Sequence, residues 1–302
     1  MSDFIALIMF PALIALIVLG FPIAFSMIVV ATIFGVAQFG DAAAYQLLTK
    51  IEDTASNSIL AAVPLFIFMG AMLENSGIAE RLFGAIHLWT RRMPGGLGVG
   101  AVIMGTIFAA ASGVVGATEA VIGMLAVPVM LKHQYDKSLI SGTICASGSL
   151  GTAIPPSITV VILGPVAGVS VGSLFSGLLI PGLLMALLFL VYIIVVCALK
   201  PALAPRLKED EQHPGWGKLL TITLSALLPT MSLILVVLGT ILMGIATPTE
   251  AAACGALGSV LLALGYRNLT LSILWNAAVR TLNITAMILL IVLGGNMFTG
   301  VF

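Results

Sequence analysis

Charge is what this chain most lacks. Its twelve Lys and Arg and twelve Asp and Glu make up 8% of 302 residues, where a soluble domain carries about 25%. So little charge cannot clothe a water-facing surface, so the implied solvent is lipid, and the 60% hydrophobic content agrees. The formal net charge is zero, without the basic footprint that nucleic-acid binding requires. Histidine is nearly absent: His87, His133 and His213 are expected to be solvated in aqueous loops. No apolar run contains a histidine, which argues against a membrane-embedded Ser/His hydrolase. Cys145, Cys197 and Cys254 lie in apolar stretches without metal-ligand spacing and are expected to be buried free thiols. With no cluster of His, Cys or acids, a metal-dependent enzyme is also disfavoured. The reading is therefore not an enzyme, and it requires no cofactor.

What the chain has is long apolar runs, with 32 Gly and 14 Pro, residues that membrane helices tolerate within their length. The run Phe4–Phe39 is too long for one span, for which about 17–25 residues suffice, and Gly20-Phe21-Pro22 divides it. Residues 41–57 read as a polar connection, and 58–73 as a span ending before Glu74. Residues 80–93 read as a helix on the membrane surface, apolar on one side (Leu82, Phe83, Ile86, Trp89). Apolar segments follow at 97–131, at 139–168 with an interruption at 151–157, and at 173–199. A charged linker occupies 200–218. Beyond it come spans at 219–243 and 248–265, a second surface helix at 266–281, and an apolar stretch at 283–302.

Lys and Arg favour the cytoplasmic side. Arg91 and Arg92 precede segment 97–131 and Lys132 and Lys137 follow it, so both flanks face the cytoplasm. The segment is short for two spans, and a re-entrant hairpin turning at Ser112-Gly113 fits it. Such backbone is tolerated at membrane depth only within protein or around a cavity.

The chain also resembles itself. Gly20-Phe21-Pro22 and Ala246-Thr247-Pro248 each separate two apolar spans, at an offset of 248 − 22 = 226. Phe68-Met69-Gly70 matches Val292-Leu293-Gly294 at 294 − 70 = 224. The charge argument gives the halves opposite orientation, the inverted repeat of secondary transporters. The first repeat is assigned to residues 1–199, with scaffold helices at 1–73, and an incomplete second repeat to 219–302. Counterparts of Ser112 and Pro155 would fall near positions 338 and 381, so the sequence is expected to be a C-terminally truncated portion of a longer protein.

Two constellations could carry chemistry. In Ala111-Ser112-Gly113 through Thr118-Glu119-Ala120, glycines allow a sharp turn with exposed carbonyls. In Ser147-Gly148 through Gly151 to Pro155-Pro156-Ser157, two prolines remove amide donors and break the helix. A broken helix offers carbonyls and hydroxyls to a hard cation at one end and amides to an anion at the other. Ser112, Gly113, Gly148, Gly151, Pro155 and Ser157 are thus candidate cation-binding residues. Ser112, Thr118 and Pro156 are candidate substrate contacts. Glu119, a costly intramembrane acid, is a candidate for charge coupling. Pro22, Pro248 and Glu250 read as structural, Glu250 as a carboxylate at a helix start. A passive channel is the reading the inverted repeat argues against.

Ser112-Gly113 to Thr118, Gly123, Pro128, Tyr135, Gly148, Gly151, Ile154-Pro155-Pro156-Ser157, Gly172 to Phe175, Gly177 and Pro181-Gly182 together resemble the large membrane subunit of tripartite ATP-independent periplasmic (TRAP) transporters. Val63 to Gly70 and Ala246 to Ala253 are similar to further motifs of that family, and Ile144 to Gly148 resembles its mannitol/chloroaromatic-compound branch. The resemblance implies an all-α, elevator-type integral protein of the bacterial inner membrane, with a re-entrant hairpin and a discontinuous helix. It further implies sodium-driven import of organic acids with two partners, a small membrane subunit and a periplasmic substrate-binding protein. A stand-alone ion-coupled anion transporter is the alternative. Val114 and Val115 stand where family members often carry serines, which shifts expected ligation towards backbone carbonyls.

Overall fold

Uninterrupted apolar runs in lipid must satisfy every backbone group within the segment, so they become helices. The computed structural model describes residues 2–205 and 216–302, and among these it contains thirteen α-helices and no strand. They are α1 (Ser2–Val18), α2 (Ile23–Phe39), α3 (Ala42–Ala55), α4 (Ala62–Asn75), α5 (Ile78–Thr90), α6 (Gly96–Ser112), α7 (Val115–Lys132), α8 (Lys137–Ala153), α9 (Ile158–Ala167), α10 (Val171–Leu199), α11 (Trp216–Leu242), α12 (Pro248–Gly265) and α13 (Leu271–Val301). Six helical stretches of the described residues are long and apolar enough to cross a membrane.

Helix boundaries follow local chemistry. Gly20 at φ 94° and Pro22 separate α1 from α2. Thr247 caps α12: its hydroxyl accepts from the Glu250 amide at 3.3 Å, while the Glu250 carboxylate accepts from the Thr247 amide at 2.8 Å, and Pro248 begins the helix. This reciprocal capping box gives Glu250 a structural task. Asp136 caps α8, accepting from the amides of Ser138 and Leu139 at 2.9 and 3.2 Å.

Several elements differ from the sequence expectation. Residues 41–57, read as a polar connection, fold largely as the amphipathic helix α3, which buries Ala43. The surface helix at 266–281 and the stretch from 283 are one helix, α13, because Asn276 and Asn283 do not break a helix as Pro would. His87 stands within α5, stacked on Phe83 with ring centroids 6.3 Å apart, rather than in a loop. Among the cysteines only Cys197 is buried; Cys145 and Cys254 occupy outward faces of α8 and α12. His213, Arg206 and Lys208 fall outside the described residues.

The chain forms two compact units. One comprises residues up to Ser58 and Leu282–Phe302, with a core of Met9, Val30, Ala31, Met297, Phe298 and Val301. The other, Ile59–Thr281, holds both constellations. Within it α4 packs on α12, α6 on α8 and α7, and α10 on α6, α8 and α9. An ion pair between Glu74 of α4 and Arg280 of α13, at 2.5 Å, also lies in this unit. The α5 face of Ile78, Leu82, Phe83 and Ile86 is buried, and α5 packs on α6 and α11.

Candidate functional site

The helix ending at Ser112 stops because Gly113 adopts left-handed φ 62°, with its amide still donating to the Ala109 carbonyl at 3.0 Å. Val114 is extended, and α7 starts at the next residue. Two helices that pack on each other thus meet at a two-residue tip. The second break is built differently. Ile154 is extended, Pro155 and Pro156 supply no amide donors, and Ser157 is extended before α9 begins. Residues 154–158 are all buried.

The two breaks touch. A methyl group placed on Gly113 would lie 2.7 Å from the Pro156 carbonyl oxygen, 3.1 Å from the Ile158 amide nitrogen and 3.3 Å from the Ser157 Cα. Only a residue without a side chain lets the backbones approach so closely. At this junction Ser157 is fully buried, and its Oγ has no hydrogen-bond partner among the described residues. It does not cap α9 either. A buried hydroxyl without a partner costs about 1–3 kcal/mol, so an oxygen-seeking ligand here would restore what folding removed. The carbonyls at the ends of α6 and α8 and the amides at the starts of α7 and α9 are the groups that helix termini leave without intrahelical partners.

Ser112 and Thr118, 6% and 1% exposed, are drawn together across the tip, their hydroxyl oxygens 2.9 Å apart. Ser112 Oγ also reaches the Phe108 carbonyl at 3.0 Å, and Thr118 Oγ1 the Val114 carbonyl at 2.9 Å. Gly148 lies one to two turns before the break and has another neighbour. A Cβ there would fall on the Glu119 side chain, so Gly148 forms a notch on α8 that admits it. Glu119 is half-buried and makes no hydrogen bond or ion pair with other described residues. Gly151 is buried one turn before the break.

The structure thus brings Ser112, Gly113, Pro156 and Ser157 to one junction, with Thr118 bonded into it. Pro155 lies inside the break, and Gly148 pairs with Glu119. Pro22 and Pro248 stand at helix starts remote in sequence from it.

Sequence reasoning missed the glycines that seat the hairpin. A Cβ on Gly70 of α4 would lie 2.7 Å from the Ser112 Cα, and one on Gly105 of α6 would lie 2.7 Å from the Ser147 Cβ. A Cβ on Gly182 of α10 would overlap the Ala153 carbonyl. The available signal was the small-residue pattern of membrane-helix contacts, visible at Gly96, Gly98, Gly100 and Gly105.

No group of three or more His, Cys, Asp or Glu among the described residues could hold a metal ion. The junction's own oxygens are neutral carbonyls and hydroxyls, a donor set for a hard cation of low charge.

The sequence matches the family described as "Tripartite ATP-independent periplasmic transporter, DctM component" over residues 10–302. It is similar to the C4-dicarboxylate TRAP transporter large permease protein of Pseudomonas aeruginosa, with 34% identity over 263 residues, covering 84% of this chain and 58% of that protein. The C4-dicarboxylate large permease of Rhodobacter capsulatus is 34% identical over 97% of this chain and 68% of its own length. The sialic acid large permease of Vibrio cholerae is 32% identical over 92% of this chain and 64% of its own. The chain therefore spans roughly three-fifths of the curated relatives it matches, and these are named as transporter permeases, not enzymes. This chain belongs to the DctM component family of tripartite ATP-independent periplasmic transporters.

Proposed function

We propose that this chain forms part of a multi-pass permease of the bacterial inner membrane that imports an organic anion, a carboxylate, driven by a sodium gradient. The observation that carries the reading is the contact between the Gly113 tip and the Pro155-Pro156-Ser157 break, with the unpartnered Ser157 hydroxyl at their junction. Sodium is cargo here, held by carbonyl and hydroxyl oxygens of Ser112, Gly113, Gly151, Pro155 and Ser157. The amide ends of α7 and α9 carry the positive pole of their helices and favour the carboxylate. Bound sodium draws the tip and the break together and adds positive charge beside the anion, so each ligand raises the affinity for the other. The named cargoes of the relatives include C4-dicarboxylates and sialic acid, both acids.

In this reading segment 97–131 re-enters from the cytoplasm and moves as the body of an elevator. A small membrane subunit and a periplasmic binding protein complete the transporter. The test is uptake into proteoliposomes holding the full-length protein and both partners. Uptake is expected to require an inward sodium gradient; uptake that ignores sodium and follows pH alone would refute the coupling. Re-entrance is checked separately: cysteines replacing Arg91 and Lys137 should both be labelled from the cytoplasmic side, and labelling from opposite sides means that the segment spans.

A further inference from the structure

The hydroxyls of Ser112 and Thr118 have more oxygen contacts than protons. Three O···O contacts link the Phe108 carbonyl, Ser112 Oγ, Thr118 Oγ1 and the Val114 carbonyl, at 3.0, 2.9 and 2.9 Å. Each hydroxyl brings one proton. Two protons serve two of the three contacts, and the third contact then has two sets of lone pairs facing each other.

The arrangements differ in what Ser112 can offer. If Ser112 donates to Phe108 and Thr118 donates to Ser112, then Ser112 Oγ accepts twice, from Thr118 and from the Val114 amide at 3.5 Å. It then has no lone pair left for a ligand. If Thr118 instead donates to the Val114 carbonyl, a lone pair of Ser112 Oγ is released. The Thr118 proton thus decides whether Ser112 is an open or a closed donor. Thr118 is 1% exposed, and its oxygen is turned to Ser112 and Val114 inside the tip. Both residues also bracket Gly113, whose left-handed conformation sets the contact with Pro156.

We propose that Thr118 is a positioning residue of the cation site, a hydroxyl clasp that orients Ser112 Oγ and the Val114 carbonyl without itself touching the transported anion. This rests on the sodium-coupled reading above. It differs from the sequence expectation for Thr118, which placed it against substrate. With Ser112 donating to Thr118 and Thr118 donating to the Val114 carbonyl, both contacts are hydrogen bonds: Thr118 Oγ1 then holds Ser112 Oγ and the Val114 carbonyl in place with a Ser112 lone pair free for the cation, and without the hydroxyl neither oxygen is held.

The experiment uses the full-length transporter with its partners in proteoliposomes, comparing wild type, Thr118→Val and Thr118→Ser. Three quantities are read: sodium half-saturation, substrate KM at saturating sodium, and thermal stability in detergent. Valine keeps the branched shape and removes the hydroxyl; serine keeps the hydroxyl. The loss of one hydrogen bond at the tip should raise sodium half-saturation about three- to tenfold in Thr118→Val, with KM unchanged and Thr118→Ser close to wild type. A raised KM with unaltered sodium half-saturation would overturn the proposal in favour of direct substrate contact. Unaltered sodium half-saturation in a less stable Thr118→Val would reduce Thr118 to a packing residue and overturn it as well. If Thr118→Val abolishes insertion, Thr118→Ala and Thr118→Ser are compared, and equal sodium half-saturation in those two overturns it. Wild-type uptake indifferent to sodium would sink the functional reading and this inference together; sodium-dependent wild type with unaltered variants sinks the inference alone.

Discussion

Gly113→Ala should damage the tip, while Gly116→Ala three residues later should not. Alanine at position 113 meets two obstacles. Its backbone would have to hold φ 62°, which costs an L-residue about 1–2 kcal/mol. Its methyl would stand 2.7 Å from the Pro156 carbonyl oxygen, well inside van der Waals contact. Overpacking of that kind costs about 1–3 kcal/mol. Together these make about 2–5 kcal/mol against the closed junction. At about 1.4 kcal/mol per factor of ten, the intact geometry falls in population by about thirtyfold to a few thousandfold. Gly116, in contrast, lies within α7, and a Cβ there meets nothing within 4 Å. Alanine at that position should be neutral or stabilising by about 0.5–1 kcal/mol. The assay is sodium-driven uptake together with thermal unfolding of the purified full-length protein, on both variants side by side. Equal behaviour of the two, in either measurement, would refute the argument that the junction depends on backbone contact at Gly113.

Gly148→Ala should destabilise by about 1–3 kcal/mol through collision with Glu119, and Gly148→Ala combined with Glu119→Ala should recover most of that; unfolding midpoints of the wild type and these two variants decide it. Arg280→Gln should destabilise by about 1–3 kcal/mol, because Glu74, 13% exposed, loses its ion-pair partner. A double-mutant cycle with Glu74→Gln should return part of the loss. The Asp136 carboxyl is held below its ordinary value of 3.8 by the Ser138 hydroxyl first, then by the Leu139 and Ser138 amides. Its folded pKa lies below its unfolded one, so its contribution is present above that ordinary value and is lost as pH falls through the folded pKa. Asp136→Asn should flatten the acid limb of the stability profile, and an unchanged limb would refute the assignment.

The reading of helices from sequence worked where composition alone decides. Long apolar runs separated by Gly20-Phe21-Pro22 or Thr247-Pro248 have no structure open to them in lipid but helix, and α1, α2 and α12 follow. The breaks at Ser112-Gly113 and Pro155-Pro156 were legible for the same reason, since glycine and proline act locally. What depended on a distant partner was not legible. Gly70 gave no sign that it seats Ser112, nor Gly148 that it seats Glu119, because a close approach is a property of two chain segments. The Arg280–Glu74 pair, 206 residues apart in sequence, was hidden likewise: Glu74 read only as the end of a span, and position 280 only as part of a surface helix. Amphipathic α3 was misjudged because its polar face dominates its composition while Ala43 on the other face is buried.

The glycine contacts described above also bear on how the hairpin could ever leave its seat. Gly70 on Ser112, Gly105 on Ser147 and Gly113 on Pro156 place backbone against neighbour with no flexible side chain between them. Dispersion at such range fades within an ångström or so of separation, and between helices in lipid the hydrophobic effect supplies no longer-ranged pull to replace it. A seat of this kind cannot stretch. If the hairpin moves as proposed, it is either engaged along its whole length or released, with a ratchet's discrete stops rather than a spring's continuum of positions.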